Sequence, residues 1–159
     1  QECEIGMAAL RQQFSITSFR EATLVMLEAV ADSISDKVYN RCKYVIEEIA
    51  RMEAACDHLL AGEIDAFGAR MYETHKGLSE LYEVSCTELD CIVENCKKEK
   101  DIVGARMMGG GFGGCVVALV QATKVEEIYN RINTAYQNKF GRNMGKYLMQ
   151  IGDGTRLLD

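Results

Sequence analysis

The sequence predicts an α+β fold, an antiparallel-type sheet packed against a layer of helices. Three observations carry that prediction. Through the first 100 residues apolar side chains recur every three or four positions, the period of amphipathic helices. After residue 101 the pattern changes to two short apolar runs, 103–108 and 115–120, which read as strands. Between them stands Gly109-Gly110-Gly111-Phe112-Gly113-Gly114, five glycines in six residues.

Taken in order, Ile5, Ala8 and Ala9 share a helical face that ends near Phe14. Thr17 or Ser18 is placed to cap a short helix carrying Leu24, Leu27 and Val30, since a hydroxyl there accepts an unpaired first-turn amide. Asp36 opens a long helix. Its stripe is Val38, Cys42, Val45, Ile49, Met52, Cys56 and Leu59, and Gly62 ends it. Ile64, Phe67, Met71, His75, Leu78 and Tyr82 mark the next helix, with Glu63 and Asp65 in the first turn, where the helix dipole favours carboxylates. Ser85 or Thr87 starts a helix holding Leu89, Ile92, Val93 and Cys96, and Lys97, Lys98 and Lys100 follow its end.

In the second part, residues 103–108 form a strand with Val103, Ala105 and Met107 on one face. Residues 115–120 are apolar throughout, as in a strand buried on both faces. Thr123 caps a helix carrying Val125, Ile128, Ile132, Ala135 and Tyr136, which Gly141 ends, and residues 146–151 read as a third strand. Three strands cannot cover their own faces, so residues 1–159 are expected to form a single domain. A length of 159 residues at 48% apolar content supports one core.

Composition excludes several classes. The net charge is −6 and no block of five or more basic residues occurs, which argues against a nucleic-acid surface. No apolar run approaches the length of a membrane span, and no secretory signal pattern is present. Seven cysteines, an odd count without a small-scaffold spacing, read as reduced thiols of a cytoplasmic protein. The chain opens Gln1-Glu2-Cys3-Glu4-Ile5 without a cap, as if entered in mid-helix, so residues upstream are expected to be missing.

The glycine cluster is the main candidate for chemistry. Glycine loses much conformational entropy on folding and clusters where the backbone needs positive φ or close approach. Residues 109–114 satisfy G-x-G-x-x-G, yet a dinucleotide fingerprint opens a helix, and here a strand follows. A phosphate-loop pattern needs Lys and Ser or Thr after the last glycine, where this chain has Cys115 and Val116. A glycine-rich hairpin without a ligand stays open. Arg106 is the nearby cation, on its own more often a surface or ion-paired residue than a phosphate clamp. No carboxylate pair is placed at the loop, so a complete phosphotransfer site does not fit in this chain. His75 sits on an apolar stripe with no nucleophile beside it and reads as a half-buried, satisfied side chain. Cys86, Cys91 and Cys96, five residues apart, turn away from one another around a helix and do not suit a metal.

The segment Gly104-Ala105-Arg106-Met107-Met108-Gly109-Gly110-Gly111-Phe112-Gly113-Gly114-Cys115 resembles the third motif of the GHMP kinase superfamily. Tyr82-Glu83-Val84-Ser85-Cys86-Thr87-Glu88-Leu89-Asp90 resembles a second signature, that of the galactokinase branch. Glu73-Thr74-His75-Lys76-Gly77-Leu78 and Arg41-Cys42-Lys43-Tyr44-Val45 fit the same order. The resemblance covers essentially the whole chain. It implies a ferredoxin-like C-terminal domain of a sugar kinase that phosphorylates the anomeric hydroxyl of galactose. ATP and Mg²⁺ would be bound mainly by an N-terminal domain that this chain lacks and against which it would pack. The resemblance places Gly109, Gly110, Gly111, Phe112, Gly113 and Gly114 at the active site. It assigns neither a catalytic residue nor a metal ligand here, and it implies that the chain alone is inactive. Met108 stands where these kinases usually carry Thr or Ser, and Thr87 where they usually carry Pro. A catalytically silent galactose and ATP sensor, another small-molecule kinase of the superfamily, and a stand-alone binding domain are the alternatives.

Overall fold

The computed structural model describes residues 1–149 together with Gly152, Gly154 and Leu157. Helices α1 (Glu2–Gln13), α2 (Leu24–Ala29), α3 (Asp36–Ala61), α4 (Ile64–Glu80) and α5 (Thr87–Cys96) precede strands β1 (Ile102–Met108) and β2 (Cys115–Val120), and α6 (Val125–Phe140) follows. The class is α+β, as expected. Ser35 caps α3 by accepting the Val38 amide at 3.3 Å, and Gly62, at φ 74°, ends it in the left-handed region.

Two apolar cores form. Leu10, Leu27, Val30, Val38 and Cys42 close one between α1, α2 and α3. Val93, Cys96, Ile102, Ala105, Ile128 and Ile132 close the other between α5, α6 and the sheet. Leu10 and Leu27 are fully buried, each contributing about 1.5–3 kcal/mol by transfer out of water.

Helix α4 joins the two halves, lying between α3 and β1. It lies so close to β1 that a Cβ on Gly68 would sit 2.1 Å from the Val103 carbonyl oxygen. From the other side, a Cβ on Gly104 would sit 2.6 Å from the Gly68 Cα. The Met107 amide is taken by His75 of α4, whose Nδ1 accepts it at 3.1 Å. His75 is buried rather than half-buried. Its Nε2 lies 3.2 Å from Asp90 Oδ1, too bent for a full hydrogen bond. Asp90 in turn accepts from Ser85 Oγ at 2.5 Å and Ser79 Oγ at 3.1 Å.

Several expectations are corrected. Thr23, not Thr17 or Ser18, caps α2 by accepting the Met26 amide at 3.2 Å, while Thr17 bonds the Glu21 carboxylate. A six-residue helix is too short for periodicity to place its start. Val30 and Tyr82 fall outside helices α2 and α4. α5 does start at Thr87, one of the two expected positions, with Cys86 before it and no side-chain cap; but Lys124 precedes α6 after a short 3₁₀ turn at Ala122–Lys124, so Thr123 does not cap α6. A bulge between Ile102 and Gly104 shifts the register, so Ile102 rather than Val103 joins Ala105 in the core.

β1 and β2 pair antiparallel and make a two-stranded sheet among the described residues. β2 is half-buried rather than buried on both faces. Val116, Ala118 and Val120 pack on the α5–α6 core, while Val117 and Leu119 join neither core. Residues 146–149 of the expected third strand have no strand structure, and Gln150 and Ile151 lie outside the described residues.

Two measurements test this packing. Gly68→Ala drives a methyl into a backbone carbonyl, and overpacking of that kind costs about 1–3 kcal/mol. The expected result is a lower unfolding midpoint in denaturant, despite the higher helix propensity of alanine. The second concerns His75. Burial holds its pKa below the ordinary value of 6.5, with Asp90 opposing the shift. The unfolded chain therefore takes up this proton first, and stability falls as pH drops below 6.5 toward the folded pKa. Between pH 7.5 and 5, wild type should lose more stability than His75→Gln, measured by chemical unfolding at each pH.

Candidate functional site

The candidate site is the loop 109–114 that joins β1 to β2. The sheet sets its two ends in register, Met108 opposite Cys115. Gly109, Gly111, Gly113 and Gly114 all take positive φ, from 86° to 138°. Phe112 does so as well, at φ 58°, a conformation that a bulky side chain rarely adopts. The residue is 76% exposed.

Among the described residues, one backbone hydrogen bond holds the loop to the body of the protein. The Phe112 amide donates to the Val84 carbonyl at 2.6 Å. The approach is close enough that a Cβ on Gly111 would lie 2.1 Å from the same oxygen. Glycine at 111 is therefore required twice, by its φ and by the carbonyl beside it. At Gly109, Gly110, Gly113 and Gly114 an added Cβ would meet nothing within 4 Å. Among the described residues, no acceptor takes the amides of the five glycines. The loop is thus an arc of backbone N–H groups with open space on one side, the arrangement that binds anions elsewhere.

Charge near the loop is sparse. Arg106 lies on β1 opposite Val117, half-buried, and makes no ion pair or hydrogen bond among the described residues. That leaves its guanidinium available, unlike the ion-paired alternative. Met108 and Cys115 at the loop's ends are exposed. The loop holds no titratable side chain, so it can bind and orient a ligand but cannot move a proton. Phe112 lines a cleft of about 370 Å³ with Arg41, Tyr82, Glu83 and Val84. A larger cleft of about 630 Å³ lies between residues 19–25 and α3 and contains no loop residue.

His75 and the cysteines stand apart from this site. His75 pins β1 from the side opposite β2, and Cys91 and Cys96 are buried in α5. Among the described residues, no group of three or more His, Cys, Asp or Glu converges to hold a metal. Sequence reasoning grouped the glycines and Arg106 but missed their link to Val84. The signal was present in the second motif, 82–90, whose place beside the loop only the fold discloses.

The sequence and the fold both match known proteins. Residues 52–138 match the family model of the GHMP kinases C terminal. The chain is 35% identical over 158 residues to galactokinase of Staphylococcus saprophyticus, covering 99% of this chain and 41% of the relative. It is 38% identical over 157 residues to human galactokinase, covering 99% of this chain and 38% of that protein. Among solved structures, Lactococcus lactis galactokinase complexed with galactose superposes with a TM-score of 0.90 at 30% identity, over 98% of this chain and 41% of that one. The chain spans about two fifths of the length of these relatives. With both motifs, the fold and the family model in agreement over the same residues, the chain belongs to the C-terminal family of the GHMP kinases.

Proposed function

We propose that this chain is the C-terminal domain of a galactokinase-like sugar kinase that transfers the γ-phosphate of ATP to the anomeric hydroxyl of galactose. The observation that carries the reading is the open arc of glycine amides at 109–114, fixed at Phe112 and flanked by the unpaired Arg106. Such groups neutralise an anion without bulk and are already oriented when charge develops. Similarity to galactokinases across nearly the whole chain supports the same substrate class. In this reading Gly109, Gly110, Gly111, Phe112, Gly113 and Gly114 face the phosphates across a cleft, and Arg106 adds positive charge.

ATP fits the donor set of the loop, which offers N–H groups and no competing carboxylate. Mg²⁺ does not fit this chain's residues, because no carboxylate stands in the loop and no metal-holding cluster exists among the described residues. In this reading the metal, the catalytic base and the sugar grip come from an N-terminal domain outside this sequence. Seven free thiols suit a cytoplasmic setting.

Three outcomes follow. This chain alone, given galactose and MgATP, should release no ADP, and clear turnover would overturn the proposal. In the full-length protein, Gly111→Ala should lower kcat about 100-fold, the scale of losing a fixed backbone donor. Arg106→Ala should cost about tenfold or more in kcat/KM for ATP, as expected for loss of a charge-assisted hydrogen bond. Unchanged ATP kinetics would remove Arg106 from the site.

A further inference from the structure

The glycine loop is held through Val84, and the turn that presents Val84 is itself held by one buried arginine. Arg41 lies in α3 and is 6% exposed. Its Nη1 donates to the Leu81 carbonyl, its Nη2 to Glu83 Oε2 at 2.5 Å and its Nε to Glu2 Oε2 at 3.1 Å. One planar guanidinium thus grips the turn at both a backbone and a side-chain atom, a grip that lysine cannot reproduce. The guanidinium also lies 5.8 Å from the centre of the Tyr82 ring, which packs on Tyr44.

What the grip sustains is strained. Glu83 takes φ 53°, left-handed for a residue with a side chain. Phe112, one hydrogen bond away through Val84, takes φ 58°. Such conformations persist only where surrounding contacts fix them. At Glu83 the fixing contacts are the Arg41 bonds on one side and the Val84 amide donating to Leu78 at 3.0 Å on the other. At Phe112 the fixing contact is the Val84 carbonyl. The two left-handed residues are therefore stacked in series, with Arg41 as their anchor.

The structure assigns Arg41 as a positioning residue, which sets the conformation of loop 109–114 through Leu81, Glu83 and Val84 without touching the ligand. Its effect on phosphoryl transfer rests on the kinase reading above. Its effect on the loop does not.

The test uses the full-length protein with Arg41→Lys, and with Glu83→Gln, whose site is exposed and leaves the core intact. Arg131→Lys, which disturbs a surface ion network on α6 with Glu99 and Glu127, is the control. Single-residue hydrogen exchange at the Phe112 amide is measured beside kcat and KM for galactose. In both test variants that amide should exchange about tenfold faster, the scale of losing a charge-assisted hydrogen bond. Helix α6 should be unchanged, kcat should fall by a similar factor, and KM for galactose should hold within about twofold. Phe112 exchange like that of the control in both variants overturns the inference. Faster exchange with unchanged kcat upholds the role of Arg41 in the loop and overturns the kinase reading of that loop. If Arg41→Lys does not fold, Glu83→Gln alone decides between these outcomes.

Discussion

The contact between α4 and β1 is the constraint on which the rest depends. A two-stranded sheet cannot stand alone, and β1 has no strand partner on the edge away from β2 among the described residues. Helix α4 takes that place, backbone against backbone, because Gly68 and Gly104 present no Cβ to each other. His75 then supplies the acceptor that a third strand would have given to the Met107 amide. Without this contact the helical half and the sheet half would share little, and the loop at the end of β1 would have no fixed origin.

From that contact the polar interior follows outward. His75 leans on Asp90, Asp90 gathers Ser79 and Ser85, and Ser85 belongs to the same short segment as Glu83 and Val84. The segment between α4 and α5 is thus tied to the strand on one side and to the glycine loop on the other. Residues distant in sequence meet here: α3 gives Arg41, α4 gives His75, and the loop gives Gly111 and Phe112. An arrangement of this kind fixes backbone atoms rather than placing reactive side chains.

Much of the fold was legible because it rests on periodicity. The stripe from Val38 to Leu59 marks α3 clearly, Gly62 ends it where a left-handed cap is needed, and the switch to short apolar runs at 102 announces the sheet. What periodicity could not carry was lost. The cap of α2 depended on one hydroxyl among several, and the bulge at Val103 moved a face without altering composition. β2 looked doubly buried because hydropathy records what a strand could bury, not what lies beside it. The glycines of the site stood out by their cost to folding. Arg41 and Val84 lay within segments that carried the resemblance, but their hold on the loop was not legible, since a carbonyl and an arginine on an amphipathic helix look alike wherever they occur.

The tautomer of His75 has a chemical consequence. Because Nδ1 accepts the Met107 amide, the ring proton resides on Nε2, and the only lone pair able to attack a reagent is occupied inside the fold. The chain has two histidines, and the other, His58, lies partly exposed near the far end of α3, paired with Glu63 at 2.7 Å. Imidazole-directed labelling of the native protein should therefore modify His58 first. Delayed labelling of His75 would then serve as a clock for the opening of the α4–β1 contact.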